Sequence, residues 1–175
     1  GVSLGDLDGD GDLDVVVFPP LSLLVNDGKG DFSVKSLPFE GYCPVAVSSA
    51  DLNGDGLADP AVLHQASPGD PRTTITVFSS SGDGTFQPTV LGNKERGPKS
   101  LLAADVDGDG DVDLTAASAT SCTLTIFAND GGGKHEFAEL DNLTAMMLLT
   151  TRVVTKIATI AVYQVLAPAI GPPAR

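Results

Sequence analysis

The chain has 175 residues and a formal net charge of −13 at pH 7, from 23 acidic residues against 10 Lys and Arg. With 42% hydrophobic residues, 20 Gly and no Trp it is globular in composition, not disordered, and long enough for one domain with a fair core. The acid excess sits in three windows, at 6–14, 51–59 and 105–113. They hold 13 of the 23 acidic residues and no Lys or Arg, and the remaining charges balance ten against ten. No basic patch is left for a phosphate backbone, which argues against a nucleic-acid partner.

In chain order, a strand is expected to be under way before the first window. That window, "DLDGDGDLD" from residue 6, is followed by the apolar run "VVVF" at 15–18, the β-rich run "LSLLV" at 21–25 and the glycine turn "NDGKGDF" ending at Phe32. The short strand "CPVAVSSAD" at 43–51 leads to the second window, "DLNGDGLAD", then "PAVLH" at 60–64, "TTITVF" at 73–78 and "SGDGTF" ending at Phe86. "PKSLLAAD" at 98–105 leads to the third window, "DVDGDGDVD", then "LTAAS" at 114–118, "CTLTIF" at 122–127 and "NDGGGKHEF" ending at Phe137.

The windows start 45 and 54 residues apart. Each unit reads strand, acid loop, strand, strand, glycine turn, strand. The expectation is an all-β, β-propeller-like array of three four-stranded blades at about 1–40, 41–95 and 96–140. It is incomplete as a propeller, because closed rings have about 4–8 blades. Phe32, Phe86 and Phe137 fall at one equivalent point and are expected to anchor the core between blades. Cys43 and Cys122 occupy non-equivalent places and are too few for a disulfide framework, so their pairing stays open. The chain starts without Met or a signal peptide, and reads as a fragment or a processed product.

All three windows match D-x-[DN]-x-D-G-x-x-D. Oxygens at loop positions 1, 3, 5 and 9, with a backbone carbonyl at position 7, suit a hard cation, and calcium takes about 6–8 such oxygens. The expected side-chain ligands are Asp6, Asp8, Asp10 and Asp14; Asp51, Asn53, Asp55 and Asp59; and Asp105, Asp107, Asp109 and Asp113. Asp12, Leu57 and Asp111 stand at position 7, and Leu57 shows that no side-chain oxygen is needed there. Gly11, Gly56 and Gly110 at position 6 permit the turn. Like charges at every second position are more than a solvated turn requires. Three ions are expected, calcium rather than magnesium, which wants a smaller octahedral site. The windows lack His and Cys, which argues against zinc and copper. An EF-hand would need Glu at position 12 and flanking helices; that position holds Val17, Val62 and Ala116, so the loop should join strands.

Acidic loop, apolar strand and "NDGKGDF" or "SGDGTF" together resemble the FG-GAP/VCBS repeat, over about residues 1–140 in three units. The Phe-Gly and Gly-Ala-Pro elements of the integrin version are missing, so the bacterial VCBS form is closer. The resemblance implies a calcium-stabilised blade of an extracellular or cell-surface propeller, acting in adhesion or in carbohydrate recognition.

From residue 141 the pattern stops, and no acid loop stands near residue 155, where a fourth would fall. The stretch from Leu143 to Ala167 is apolar, but Arg152 and Lys156 near its middle argue against a membrane span. A degenerate terminal blade or cap is expected instead. "NLT" at 142–144 fits a glycosylation sequon, a pattern common by chance. Three blades leave sheet faces exposed, so further blades or oligomers are expected. His64 and His135 have no neighbouring nucleophile motif and read as surface residues, and nothing points to an enzyme. The leading reading is a calcium-binding module whose partner is an extracellular protein or glycan. The alternative is a lectin-like propeller or an accessory domain of a secreted hydrolase, weakened by the scarcity of Tyr and Trp.

Overall fold

The computed structural model describes residues 1–65, 67–69, 72–118, 123–131 and 138–141. They form three antiparallel four-stranded sheets. The first contains β1 (Val2–Gly5), β2 (Asp14–Val17), β3 (Ser22–Asn26) and β4 (Phe32–Lys35). The second contains β5 (Tyr42–Ala50), β6 (Asp59–Gln65), β7 (Arg72–Ser80) and β8 (Phe86–Arg96). The third contains β9 (Pro98–Ala104), β10 (Asp113–Ser118), β11 (Thr123–Ala128) and β12 (Ala138–Asp141). Strand order follows chain order in each sheet, because short turns allow each strand to pair only with its neighbour. The all-β, propeller-like array of three four-stranded units is the observed architecture. The three acid windows form the first hairpin connection of each sheet, and Val17, Val62 and Ala116 lie in strands.

The sheets stack through their faces. β1 packs against β5, and β5 against β9. Between the first two sheets lie Leu7, Val16, Leu23, Val25 and Leu37 on one side, and Val62, Phe78 and Phe86 on the other. Between the second and third lie Ala61, Leu63, Ile75 and Val77 against Leu101, Leu114, Ala116 and Phe127. The middle sheet thus turns one face upstream to the first sheet and the other downstream to the third. The burial patterns follow from this. In β2 only alternate residues are buried, whereas six successive residues of β6, Asp59–His64, are buried because the middle sheet is covered on both faces. Phe78 and Phe127 are fully enclosed, each contributing about 1.5–3 kcal/mol of apolar burial.

Two expectations are corrected. His64 is a buried residue of β6, not a surface one. Its Nδ1 lies 2.9 Å from the Gln65 carbonyl and its Nε2 2.8 Å from the Thr76 hydroxyl, and Phe39 stacks edge-on at 4.9 Å. Burial lowers its pKa, so it is a neutral imidazole held by both nitrogens. The inter-blade anchor role holds for Phe86, which is 7% exposed, but Phe32 is 49% exposed because no described residue covers that face of the first sheet. Cys43 is free and exposed. Phe137, His135, Cys122 and the stretch beyond Asp141 lie outside the described residues. No helix among the described residues is long and apolar enough to cross a membrane.

Candidate metal centres

Each acid loop is wound around its first aspartate. Asp6 accepts the Gly9 N–H at 2.8 Å on one oxygen and the Gly11 N–H at 3.0 Å on the other. Asp51 does the same with Gly54 at 2.7 Å and Gly56 at 2.9 Å, and Asp105 with Gly108 and, at 3.2 Å, Gly110. The position-5 carboxylate closes a second small turn. Asp10, Asp55 and Asp109 accept the N–H of Asp12, Leu57 and Asp111 at 2.8–3.0 Å. At position 3, Asn53 and Asp107 likewise accept the N–H two residues on. The loop needs left-handed backbone at position 6, where φ is 90° at Gly11, 89° at Gly56 and 106° at Gly110, a region L side chains rarely adopt.

The position-7 side chains turn away from this winding. A Cβ built on Gly28 or Gly131 would collide with the carboxylate of Asp12 or Asp111, and Leu57 lies 3.5 Å from the equivalent place at Gly82. The side chain at position 7 therefore packs on the glycine turn of its own sheet. A backbone carbonyl is what this position has to offer an ion.

The position-9 aspartates are fully buried. Asp14 accepts the Leu7 N–H at 2.9 Å and the Asn26 N–H at 2.8 Å. Asp59 accepts Leu52 at 3.2 Å and Ser80 at 2.8 Å, and Asp113 accepts Val106 at 2.9 Å and Asn129 at 2.8 Å. One carboxylate thus ties its own loop to the end of the third strand of its sheet. Burial pushes the Asp59 pKa up to about 6 and raises that of Asp113, against the opposing pull of those same N–H donors.

The loops differ in how their carboxylates converge. Asp6, Asp8 and Asp14 each place an oxygen within 4.8 Å of the others, and so do Asp105, Asp107 and Asp109. Asp10 and Asp12 stand outside the first trio, and Asp111 and Asp113 outside the third-loop one. The second loop forms no such trio of carboxylates. Its Asn53 instead donates from Nδ2 to Asp55 at 3.0 Å. Two unit negative charges 4.8 Å apart near a protein surface repel by about 3–4 kcal/mol. In the first loop the strain is visible. Asp8 Oδ1 is buried without a hydrogen-bond partner, and burial, then Asp14 and Asp10, raise the Asp8 pKa. Three converging carboxylates, one of them with a buried oxygen that has no hydrogen-bond partner, suit an all-oxygen site for a hard cation. The residues fit the ion.

Sequence reasoning missed Lys35. It reaches from β4 to the glycine turn of the second sheet, filling the space beside Gly84, and its charge acts on both Asp8 and Asp83. It also missed the bonds between sheets. The Ala58 N–H donates to the Asp6 carbonyl at 2.8 Å, and Asn129 Nδ2 to the Leu52 carbonyl at 2.8 Å. These pair residues 52 and 77 positions apart, and local pattern carries no sign of them.

Comparison with curated proteins finds no match. The family model of the FG-GAP-like repeat matches residues 6–62 and 65–116, more than half of the chain and spanning all three acid windows. Acid hairpins, glycine turns and four-stranded sheets recurring in phase agree with that match, and the chain belongs to the FG-GAP-like repeat family.

Proposed function

We propose that the chain is a calcium-binding repeat module of an extracellular or cell-surface protein that mediates adhesion or ligand recognition, with calcium in a structural role. The observation that carries this is the first loop, where Asp8, one oxygen of which is buried without a hydrogen-bond partner, converges with Asp6 and Asp14. Asp6, Asp8, Asp10 and Asp14, with the carbonyl of Asp12, would hold one ion. Asp51, Asn53, Asp55 and Asp59 with the Leu57 carbonyl would hold a second, and Asp105, Asp107, Asp109 and Asp113 with the Asp111 carbonyl a third. The bound ion supplies positive charge that cancels carboxylate repulsion. The protein's own residues do the rest: position 1 winds the loop, position 7 locks it on the glycine turn, and position 9 fixes both to the sheet.

The module binds and does not catalyse. The one described histidine, His64, has both ring nitrogens engaged inside the middle sheet. The extracellular setting and the adhesive or ligand-binding role rest on family membership. Extracellular calcium modules commonly bind at about 10⁻⁴–10⁻³ M, and this is the affinity the reading expects.

Thermal unfolding with and without calcium tests the reading. Two or three such sites, each adding RT ln(1 + [Ca]/Kd), stabilise by about 1–6 kcal/mol together. That corresponds to a rise of roughly 2–24 °C in Tm, reversed by EDTA. An unchanged Tm in millimolar calcium would remove the support for it.

A further inference from the structure

Given the calcium reading above, on which this rests, we infer that Lys35 sets the affinity of the first metal centre. Its ammonium is a fixed counter-charge that eases the empty loop and opposes a divalent cation entering it.

The fold holds this charge in place. Lys35 pairs with Leu23 across β3 and β4, and cross-strand partners point to the same face of a sheet. Leu23 is buried in the core between the first two sheets, so Lys35 rises from the face that meets the second sheet. Its half-buried side chain carries the ammonium to Gly84, in the turn that the Ser81 N–H closes on the Thr85 carbonyl at 3.1 Å. Gly82 of that turn lies against the first acid loop, with the Asp8 carbonyl 3.8 Å from where a Cβ on Gly82 would sit. The ammonium is therefore lodged where the first loop meets the second glycine turn. Its charge opposes the rise that burial and two neighbouring carboxylates impose on the Asp8 pKa, and adds to the lowering that bonds from Thr85 give Asp83.

The other two units carry no charge at this point. Leu23, Val77 and Ile126 each stand three residues before the residue whose N–H bonds the position-9 aspartate, and they pair with Lys35, Thr89 and Leu140. Lys35 does not bond Asp8 Oδ1, which has no hydrogen-bond partner. The ammonium thus offsets negative charge from a distance and leaves that oxygen open to an ion. Two effects of opposite sign follow. In the metal-free protein, a positive charge near the converging carboxylates of Asp6, Asp8 and Asp14 reduces their repulsion and favours the folded loop. Against a divalent cation the same charge is repulsive, enough to weaken binding about three- to tenfold at low ionic strength. The first centre is held weaker than its aspartates alone would make it, and it fills at higher calcium than it would without Lys35.

Amide NMR of the full chain during a calcium titration tests this loop by loop. The N–H groups of Gly11, Gly56 and Gly110 each bond the first aspartate of their own loop, so each gives a separate signal for its centre. Lys35→Met keeps an unbranched side chain and removes the charge. It should lower the calcium midpoint at Gly11 about three- to tenfold at low salt and leave those at Gly56 and Gly110 within about twofold. Lys35→Arg keeps the charge and should keep the wild-type midpoint. In about 1 M NaCl, where the screening length is about 3 Å, the difference between wild type and Lys35→Met should fall below about twofold, a response that a lost packing contact would not give. In EDTA at low salt, Lys35→Met should lower the urea midpoint, because the empty loop loses its counter-charge. Lys35→Gln replaces Lys35→Met if the latter does not give the dispersed spectrum of a folded chain. A Gly11 midpoint that Lys35→Met leaves unchanged at low salt, while Gly11 still responds to calcium, overturns the inference and leaves the metal reading standing. Wild-type signals indifferent to millimolar calcium at all three glycines overturn the metal reading, and this inference with it.

Discussion

Replacing Asp59 with Asn separates the charge of the position-9 carboxylate from its shape. In the wild type, one oxygen accepts the Leu52 N–H at 3.2 Å and the other the Ser80 N–H at 2.8 Å, in a fully buried site. An amide has one acceptor oxygen. With that oxygen on Ser80, its nitrogen faces the Leu52 N–H, donor against donor, and a buried donor without an acceptor costs about 1–3 kcal/mol. The opposite contribution comes from the charge. Burial lifts the Asp59 pKa to about 6 from 3.8, so keeping it ionised at neutral pH costs the folded state up to about 3 kcal/mol. The amide removes that cost. Without metal the two effects nearly cancel, and Asp59→Asn should lie within about 2 kcal/mol of the wild type. With calcium the cancellation ends, because a cation relieves a buried carboxylate and gives an amide nothing comparable. The variant should lose the gain of one site, about 0.6–2 kcal/mol in millimolar calcium. Urea unfolding in EDTA and in calcium measures both quantities on the same protein. A calcium gain equal to the wild type's, or a loss beyond about 4 kcal/mol in EDTA, would refute the reasoning.

Acid should stabilise the metal-free protein over part of the range. The Asp59 pKa is raised in the folded state, so the stability linked to its protonation is lost as pH rises through about 6 and fully present below 3.8. Asp8 and Asp113 shift in the same direction, whereas His64, whose pKa is lowered, loses stability as pH falls below 6.5; with three carboxyls against one imidazole, urea midpoints in EDTA should rise between neutral pH and about 4.5, while the calcium gain shrinks as protons compete for the same oxygens. Gly28→Ala should cost about 1–3 kcal/mol, from φ of 70° and from displacing Asp12; Asp12→Ala in the same chain should recover only the second part, which a double-mutant cycle with urea would show. Asn129→Ala should cost about 1–3 kcal/mol by stranding the buried Leu52 carbonyl, read as a lower and broader unfolding transition.

The parts of this molecule that are set locally are legible in the residues. Carboxylates at alternate positions, a glycine at position 6 and a following apolar run define each acid hairpin, and turn glycines before Phe32 and Phe86 define the hairpin of the third and fourth strands. Four strands per repeat follow from those signals. What stays hidden depends on neighbours distant in the chain. Nothing in "DLNGDGLAD" distinguishes Asp59 from Asp51 or Asp55. Its burial comes from Ser80, 21 residues on, and from two flanking sheets. His64 follows an apolar run in a manner equally suited to a strand end at the surface. It is buried because Phe39, from the segment that follows the first sheet, packs edge-on over it. Phe32 and Phe86 have the same local setting and opposite exposures, since the difference lies in what stands upstream of each sheet. Lys35 is an ordinary strand lysine until the stacking brings the second glycine turn under it.

The site and the stacking are one structure, so an ion held as proposed would reach beyond each hairpin. The position-9 carboxylate joins loop to third strand inside a sheet. Ser80 Oγ, donating to the Ala58 carbonyl, and Asn129 Nδ2, donating to the Val112 carbonyl, brace the same corner. The Ala58 N–H on the Asp6 carbonyl then joins the second loop to the first, and Asn129 Nδ2 on the Leu52 carbonyl joins the third sheet to the second. On the proposed role, a loop without its ion would let go of its own corner and of one bond to the adjoining sheet. Stability in a stacked array is a sum of unit terms and nearest-neighbour interfaces, so an ion acting at the corner raises both. The excess of aspartate is concentrated in these loops while the rest of the chain is balanced in charge, and on the proposed role it stands where one bound cation would strengthen hairpin and interface together.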